Sequence, residues 1–223
     1  MAHFLLVHGS WLGGWMWDGV ARELRRRGHS SVAPTLSGGT LSEHIAEVTA
    51  LLDGAPDTIL VAHSYAGMVA AGVVDGGTDS VRMVVFLDAF VPTPGCSAFD
   101  LLPAIREPLE SGASAAGSDA APPLPLSMFG ITDPAAAADI GARMRPWPLA
   151  THREASPGWP GGVPAVYIQL AGGSFFDGVA AELEDAGWRV ERLPLQHLAP
   201  ITDPVPVTAA LLRTADETQE VPA

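Results

Sequence analysis

A serine between two apolar segments is the first residue that could do chemistry. The stretch VAHSYAGM, residues 61–68, places Ser64 after one buried run and before another. Ala62 and Ala66 stand two positions to either side, and small side chains there permit the sharp strand-to-helix turn that presents a nucleophilic hydroxyl. Two interpretations follow: Ser64 attacks a carbonyl carbon, or it is an ordinary serine in a tight turn.

A serine nucleophile needs a base to take its proton, and His197 is the candidate. It lies in LPLQHLAP, residues 193–200, between the last strand pattern and the final helix pattern. The order serine then histidine along the chain is one of the orders that such catalytic groups take. His8 and His63 are predicted to support the loops in which they lie. The remaining histidines have no catalytic setting: His3, His29, His44 and His152.

A loop rich in glycine and tryptophan follows the first strand pattern. Its sequence is HGSWLGGWMW, residues 8–17, and its glycines allow a backbone N–H to turn back toward Ser64. The start of the helix after Ser64 directs the N–H of Tyr65 to the same place. We therefore predict that the N–H groups of Ser10 and Tyr65 form an oxyanion hole.

These groups need a scaffold, and the rest of the chain predicts one. Helical patterns alternate with short apolar runs, and Thr40 and Glu43 have the spacing of a capping box. Strands that alternate with helices indicate an α/β fold, with a mostly parallel sheet covered by helices on both faces. The apolar runs predict buried strands at residues 3–7, 30–33, 58–62, 82–87, 166–170 and 189–193.

The amino-acid composition of the chain changes after the fourth strand pattern. Residues 91–162 are rich in Pro, Ala, Gly and Ser, and we interpret them as an inserted helical cap, with a mobile middle at 112–125. Residues 1–90 and 163–214 then form the core of a single domain. Residues 215–223 are predicted to be a polar, frayed tail.

Composition excludes several classes of function. The net charge of −13 argues against a nucleic-acid partner and against an anionic membrane surface. The chain contains no lysine, which excludes Schiff-base chemistry and a Walker lysine, and its single cysteine excludes an internal disulfide and a cysteine zinc cluster. No leader pattern and no apolar stretch of membrane-spanning length occurs, so we expect a cytoplasmic protein.

Four segments resemble the α/β-hydrolase superfamily, and specifically its branch of plant methyl esterases, hydroxynitrile lyases, methylketone synthases and small bacterial esterase-like proteins. The segments are FLLVHGSWLGGWMW, VAHSYAGM, VVFLDAFVPTPG and VERLPLQH. The resemblance implies an α/β-hydrolase fold with a helical cap, no cofactor and no metal. The hydroxynitrile lyases of this branch carry threonine and lysine where this chain has Gly9 and Leu198, which favours the esterase-like members.

The chain departs from the family at the acid that orients the catalytic histidine. That acid normally follows the strand written here AVYIQL, at about Gly173, where this chain has no carboxylate. Asp88, at the end of the fourth strand pattern, is the preferred replacement, because some members of the superfamily recruit their acid there. Asp177 is the second candidate, and a site in which no acid serves His197 is the third.

Specificity is expected to come from the first loop and the cap. Trp11, Met128, Phe129 and Trp147 are the predicted pocket residues, with ordinary packing as the alternative for each cap residue. Few charges lie near them in sequence, so the predicted partner is a small, fairly apolar, neutral molecule. A homodimer is an oligomeric state that the sequence leaves open.

Three hypotheses of function follow from these residues. The first is a serine hydrolase that cleaves a small ester, thioester or lactone through an acyl-enzyme on Ser64. The second is a repurposed lyase, cyclase or isomerase, in which His197 moves a proton and the oxyanion hole holds an enolate. The third is a protein that binds a small ligand under its cap without turnover.

Overall fold

The structure is a computed structural model, and it describes residues 1–173 and 175–217. Within these residues, six strands form one parallel sheet in the order β2-β1-β3-β4-β7-β8, and β5 pairs with β6 in an antiparallel ribbon. The strands are β1 (His3–Val7), β2 (Ser30–Val32), β3 (Thr58–His63), β4 (Val81–Leu87), β5 (Ala120–Ala121), β6 (Trp147–Pro148), β7 (Ala165–Leu170) and β8 (Arg189–Leu193). The predicted α/β architecture is confirmed.

Helices connect the parallel strands and flank the sheet. Helix α1 packs against α10, and α2 packs against α3. Short 3₁₀ turns also occur at residues 14–17, 103–105 and 126–129. The helices are α1 (Asp18–Arg26), α2 (Leu41–Leu52), α3 (Ala66–Asp75), α4 (Ala98–Leu101), α5 (Arg106–Ala115), α6 (Pro134–Arg143), α7 (Ala150–Arg153), α8 (Asp177–Asp185), α9 (Ala199–Thr202) and α10 (Pro204–Glu217).

The central strands bring the ends of distant segments to one edge of the sheet. Every residue of β3 is buried, because the strand lies between β1 and β4 and is covered on both faces. In the register of the sheet, Ala62 is opposite Val7 of β1 and Phe86 of β4, and Leu87 is opposite Ile168 of β7. The residues that follow these strands therefore meet above the carboxyl edge, where open α/β sheets bind ligands.

Local sequence rules account for several helix boundaries. Thr40 and Glu43 form the predicted capping box, in which the Glu43 N–H donates to the Thr40 hydroxyl and the Thr40 N–H donates to the Glu43 carboxylate. Gly28, the predicted residue after α1, has a φ of 82°, the left-handed conformation that glycine adopts without a steric penalty.

Residues 91–162 contain α4 to α7 and the β5–β6 ribbon. The segment 112–125, predicted to be mobile, includes the end of α5 and the strand β5, where Ala121 pairs with Trp147. The ring N–H of Trp11 donates to the carbonyl oxygen of Ala121 at 3.1 Å, so the first loop contacts this ribbon. The division of the chain into core and cap stays a prediction.

The last helix differs from its predicted end. Helix α10 continues to Glu217 instead of ending near Arg213, because its apolar face continues through Val207, Leu211 and Ala215, all of which are buried. Residues 218–223 of the predicted tail lie outside the described residues.

None of the helices in the described parts of the chain is long and apolar enough to cross a membrane. The cytoplasmic location expected from the sequence stays a prediction.

Candidate active site

Ser64 occupies a left-handed turn between β3 and α3. Its φ is 57°, a conformation that costs a residue with a side chain roughly 1–3 kcal/mol and persists only where neighbours enforce it. Its carbonyl oxygen accepts hydrogen bonds from the N–H groups of Gly67 and Phe90, each at 3.2 Å. This is the local geometry of a nucleophile elbow.

Small residues make the elbow sterically feasible. A Cβ atom on Gly67 would lie 1.8 Å from the carbonyl oxygen of Phe90, so α3 passes the loop after β4 at a distance that only glycine permits. Ala62 and Ala66 are completely buried at the strand and helix ends of the turn. The A-x-S-x-A-G sequence therefore fits the turn for the reason that motivated the prediction.

Asp88 lies directly after β4 and is completely buried. Its φ of 45° is also left-handed. Its N–H donates to the carbonyl oxygen of Ile168 at 2.8 Å, and its Oδ1 accepts from the N–H of Leu170 at 3.3 Å, so β7 fixes both the backbone and the carboxylate. The other carboxylate oxygen, Oδ2, lies 2.6 Å from Nδ1 of His197.

This contact determines the tautomer of His197. The buried carboxylate of Asp88 accepts a hydrogen bond from Nδ1, so Nδ1 carries the proton of the neutral ring. Nε2 is then the nitrogen that can accept a proton. His197 and Ser64 line the same pocket. The other candidate acid, Asp177, begins α8 and accepts a hydrogen bond from the amide nitrogen of Gln169 at 3.2 Å.

His63 supports the loop that carries His197. Its Nε2 donates to the carbonyl oxygen of His197 at 3.0 Å, and the two imidazole rings lie 4.5 Å apart between centroids. Burial, reinforced by repulsion from His197, lowers the pKa of His63 well below its ordinary value. The neutral ring therefore packs beneath His197 without adding a positive charge to the site.

The first loop passes directly over the elbow. A Cβ atom on Gly9 would lie 2.7 Å from Cβ of Ser64 and 3.2 Å from its Oγ. The backbone N–H groups of Ser10 and Tyr65 donate no hydrogen bond to any residue in the described part of the chain. Both residues are buried, and Tyr65 follows Ser64 directly while Ser10 lines the same pocket as Ser64. The oxyanion hole formed by these two N–H groups stays a prediction.

His8 holds this loop in place. Its Nδ1 bonds to the carbonyl oxygen of Gly9 at 2.8 Å, and its Nε2 accepts from the N–H of Leu36 at 3.0 Å. Burial lowers the pKa of His8 to about 4, so the ring is neutral at neutral pH. A neutral imidazole has one donor nitrogen and one acceptor nitrogen, which match the Gly9 carbonyl oxygen and the Leu36 N–H.

A pocket lies beside Ser64 and His197. Its walls are mainly apolar and aromatic, with polar atoms contributed by two serines and two histidines. The lining residues are Ser10, Trp11, Ser64, Phe90, Leu102, Ile105, Leu124, Phe129, His152, Phe175, Phe176 and His197.

Two of the four residues predicted to form the pocket lie elsewhere. Trp11 and Phe129 line it, and the Phe129 ring stacks against the ring of His197 at 5.7 Å. Met128 is 48% exposed because the 3₁₀ turn at 126–129 directs its side chain outward. Trp147 is buried among the rings of His8, His44 and Tyr65, where β6 holds it.

Sequence patterns missed the residues that complete the wall. Phe90 follows β4, and Phe175 and Phe176 lie in the turn before α8. No hydrophobic periodicity at these positions distinguishes a residue that lines a pocket from one in the core. His152 was assigned no catalytic setting, yet it lines the pocket from the four-residue helix α7. Its proximity to Ser10, 142 positions away in the sequence, is a property of the fold alone.

Comparisons with known proteins find relatives that are named esterases. A carbendazim hydrolysing esterase from a Nocardioides species is 39% identical over 153 residues, which are 59% of this chain and 63% of the relative. Methylesterase 8 of Arabidopsis thaliana is 32% identical over 104 residues, 40% of this chain and 38% of the relative. The matched regions thus span less than two thirds of either relative.

The fold is matched over nearly the whole chain. The solved structure of an extracellular α/β-hydrolase from a Paenibacillus species has a TM-score of 0.84, with 24% identity, 96% of this chain and 98% of that chain covered. Residues 4–216 match the sequence pattern of the alpha/beta hydrolase family. The chain therefore belongs to the α/β hydrolase family.

Proposed function

We propose that this protein is a serine esterase that hydrolyses small, fairly apolar carboxylic esters, with thioesters and lactones as related substrates. The observation that carries the proposal is the 2.6 Å contact between Asp88 and His197 in the pocket where Ser64 adopts its left-handed conformation. A relative that hydrolyses carbendazim and a methylesterase support the same class of reaction.

In the first half-reaction, Oγ of Ser64 attacks the ester carbonyl carbon while Nε2 of His197 removes the hydroxyl proton. Negative charge develops on the carbonyl oxygen, where the N–H groups of Ser10 and Tyr65 stabilise it. One such donor contributes about 10²–10³ in rate in a well-studied protease. His197 then returns the proton to the leaving alcohol, and an acyl group remains on Ser64.

In the second half-reaction, His197 removes a proton from water, which attacks the acyl-enzyme. The intermediate collapses, Ser64 recovers its proton, and the carboxylic acid leaves. Asp88 accepts the Nδ1–H of His197 throughout, so it orients the ring and stabilises the imidazolium that forms in each half-reaction. The apolar wall of the pocket favours alkyl or aryl groups on the acyl or alcohol side.

The alternative of a repurposed lyase, cyclase or isomerase rests on the absence of a carboxylate near Gly173. The hydrogen bond from His197 to Asp88 weakens this alternative, because it gives the histidine an acid partner from a different strand. The non-catalytic binding hypothesis has no observation in its favour beyond the pocket itself.

The test is hydrolysis of p-nitrophenyl acetate and p-nitrophenyl butyrate by the wild type and by Ser64→Ala. The proposal predicts turnover by the wild type and a loss of kcat of at least about 10³-fold in the variant, because the residual rate comes from binding and the oxyanion hole alone. Equal rates in the two proteins would exclude Ser64 as the nucleophile.

A further inference from the structure

His152 lies in the wall of the pocket, and the esterase mechanism gives it no role. It is 2% exposed and shares the pocket with Ser64 and His197, although it comes from helix α7. Its Nε2 lies 3.4 Å from Oγ of Ser10. A buried histidine beside a reacting carbonyl must have a defined hydrogen-bonding role, which its neighbours reveal.

The neighbouring Thr151 determines the tautomer of His152. A hydroxyl carries one proton, and Oγ1 of Thr151 donates that proton to the carbonyl oxygen of Pro148 at 2.6 Å. A carbonyl oxygen only accepts, so the direction of this bond is fixed. The Thr151 oxygen, at 2.9 Å from Nδ1 of His152, can then only accept the Nδ1 proton. Nε2 is consequently the unprotonated nitrogen and is a hydrogen-bond acceptor.

The surroundings keep the ring neutral. The phenol ring of Tyr65 stacks on it at 5.3 Å with an interplanar angle of 17°, and the ring of Phe99 lies at 5.5 Å. Burial lowers the pKa of His152 to about 3, so protonation does not alter the assignment near neutral pH. Nε2 of His152 therefore presents a lone pair, not an N–H, on the side of the ring that faces Ser10.

Within the described residues, Nε2 of His152 accepts only a weak hydrogen bond, from the Ser10 hydroxyl. The Ser10 hydroxyl is at 3.4 Å, near the upper limit for a hydrogen bond and well beyond the distance of about 2.8 Å typical of O–H donors. A buried acceptor with a poor partner is destabilising until a better donor arrives. The position of Nε2 in the pocket wall allows a substrate to provide that donor.

The same serine relates the acceptor to the scissile bond. Ser10 contributes its N–H to the proposed oxyanion hole, and its Oγ is the atom next to Nε2 of His152. A substrate whose carbonyl oxygen binds the Ser10 N–H therefore lies in the pocket that His152 also lines. Most of the other lining residues are apolar, and His152 is a polar residue of this wall that the proposed nucleophile, base and oxyanion hole do not use.

We propose that Nε2 of His152 accepts a hydrogen bond from an N–H or O–H on the atom next to the scissile carbonyl, and so selects esters that carry such a donor. α-Hydroxy esters and carbamates with a free N–H belong to this class. The inference rests on the proposed esterase function and deepens it, because it names a substrate feature that the nucleophile, base and oxyanion hole do not require.

Three methyl esters of similar size test this selection. Methyl mandelate carries an α-hydroxyl, methyl α-methoxyphenylacetate carries an α-acceptor without a donor, and methyl phenylacetate carries neither. For the wild type, we expect kcat/KM for methyl mandelate to exceed that for the other two by about tenfold, the effect of one good hydrogen bond. The methoxy ester separates donation from mere polarity.

Three variants connect the preference for a donor to His152. His152→Phe keeps an aromatic ring beside Tyr65 and Phe99 but removes the acceptor, and it should reduce the donor preference to near unity. His152→Gln retains an acceptor oxygen and should retain part of the preference. Thr151→Val removes the group that holds the Nδ1 proton, and it gives a second route to the same loss if His152→Phe does not fold.

Each outcome separates this inference from the esterase proposal. Hydrolysis of all three esters with equal kcat/KM by the wild type would overturn the role of His152 and leave the esterase proposal intact. A donor preference unchanged in a folded His152→Phe would also overturn it. No hydrolysis of these esters or of p-nitrophenyl esters would overturn the proposed function, and the inference with it.

Discussion

Nδ1 of His197 lies 2.6 Å from Oδ2 of Asp88, although 109 positions separate the two residues. The family resemblance implied an acid after β7, whereas Asp88 follows β4. Asp88 can take the place of that acid geometrically because β4 and β7 are adjacent in the sheet, with Leu87 opposite Ile168. An acid at the end of either strand can reach the same histidine, and the N–H of Leu170 in β7 still holds the Asp88 carboxylate.

Replacing Asp88 tests this pairing directly. Asp88→Asn keeps the shape of the side chain but no longer provides a carboxylate for the Nδ1 proton, and the same change in a serine protease lowers kcat by about 10⁴. We expect a loss of similar order in p-nitrophenyl ester hydrolysis. Asp177→Asn is the matched control, because Asp177 bonds to Gln169, and it should retain the wild-type rate. The reverse pattern would identify Asp177 as the acid.

The close approach of the first loop predicts the effect of one added methyl group. Gly9→Ala would place Cβ 2.7 Å from Cβ of Ser64, so the loop or the elbow must move, and we expect kcat to fall at least about tenfold. Gly178→Ala in α8 is the control, because a Cβ there meets nothing within 4 Å. A Gly9→Ala enzyme with wild-type kcat would contradict the described path of the loop.

Two neighbouring residues separate pocket from surface. Phe129→Ala removes a ring that stacks on His197 and lines the pocket, whereas Met128→Ala trims a side chain that is 48% exposed. We expect the first change to lower kcat/KM for p-nitrophenyl butyrate about tenfold through lost apolar contact, and the second to leave it unaltered. Steady-state kinetics with the acetate and butyrate esters would reveal whether the loss grows with acyl length, as contact with the chain requires.

The buried histidines predict how stability depends on pH. His8 and His152 have folded-state pKa values of about 4 and about 3, below the ordinary value of 6.5, because burial penalises the charged ring. The unfolded chain therefore binds more protons than the folded one below pH ~6.5, so the free energy of unfolding falls as pH drops toward these values. Each histidine contributes a slope of about 1.4 kcal/mol per pH unit within its window.

Urea unfolding at pH 7.5, 6.5, 5.5 and 4.5 measures this slope. Burial also lowers the pKa of His63, which adds to it in the same direction. His8→Gln should lower the slope of the free energy of unfolding against pH by the contribution of one histidine, whatever its effect on the absolute free energy of unfolding. A free energy of unfolding that is constant from pH 6.5 to 4.5 would show that these rings are not held neutral by burial.

Most of the fold was predictable because its signals are local. The strands at 3–7 and 189–193, the capping box at Thr40 and the small residues around Ser64 each follow from short-range rules of periodicity, capping and turn geometry. The alternation of these elements then determines the parallel sheet. The position of Asp88 at the end of a predicted strand made it the preferred acid, but Asp177 and a site without an acid stayed open as alternatives.

The cap was less predictable because its structure depends on long-range packing. Strands of two residues each, β5 and β6, hold Trp147 among buried rings, and no sequence pattern distinguishes that site from a ligand pocket. Helix α7 is too short to show amphipathic periodicity, so the placement of His152 beside Ser10 had no local signal. The tautomer of His152 depends on its distances to Thr151 and Ser10, which follow from the fold.

The most direct test of the central claim, that the Asp88–His197 pair activates Ser64, is covalent labelling with a fluorophosphonate followed by mass spectrometry of the digested protein. We predict a single adduct on the peptide that contains Ser64, and a labelling rate lowered at least about 100-fold in His197→Ala, because a positioned general base contributes about 10²–10⁴ to such a step. An enzyme that hydrolyses esters without an adduct at Ser64, or one labelled equally fast without His197, would contradict the account.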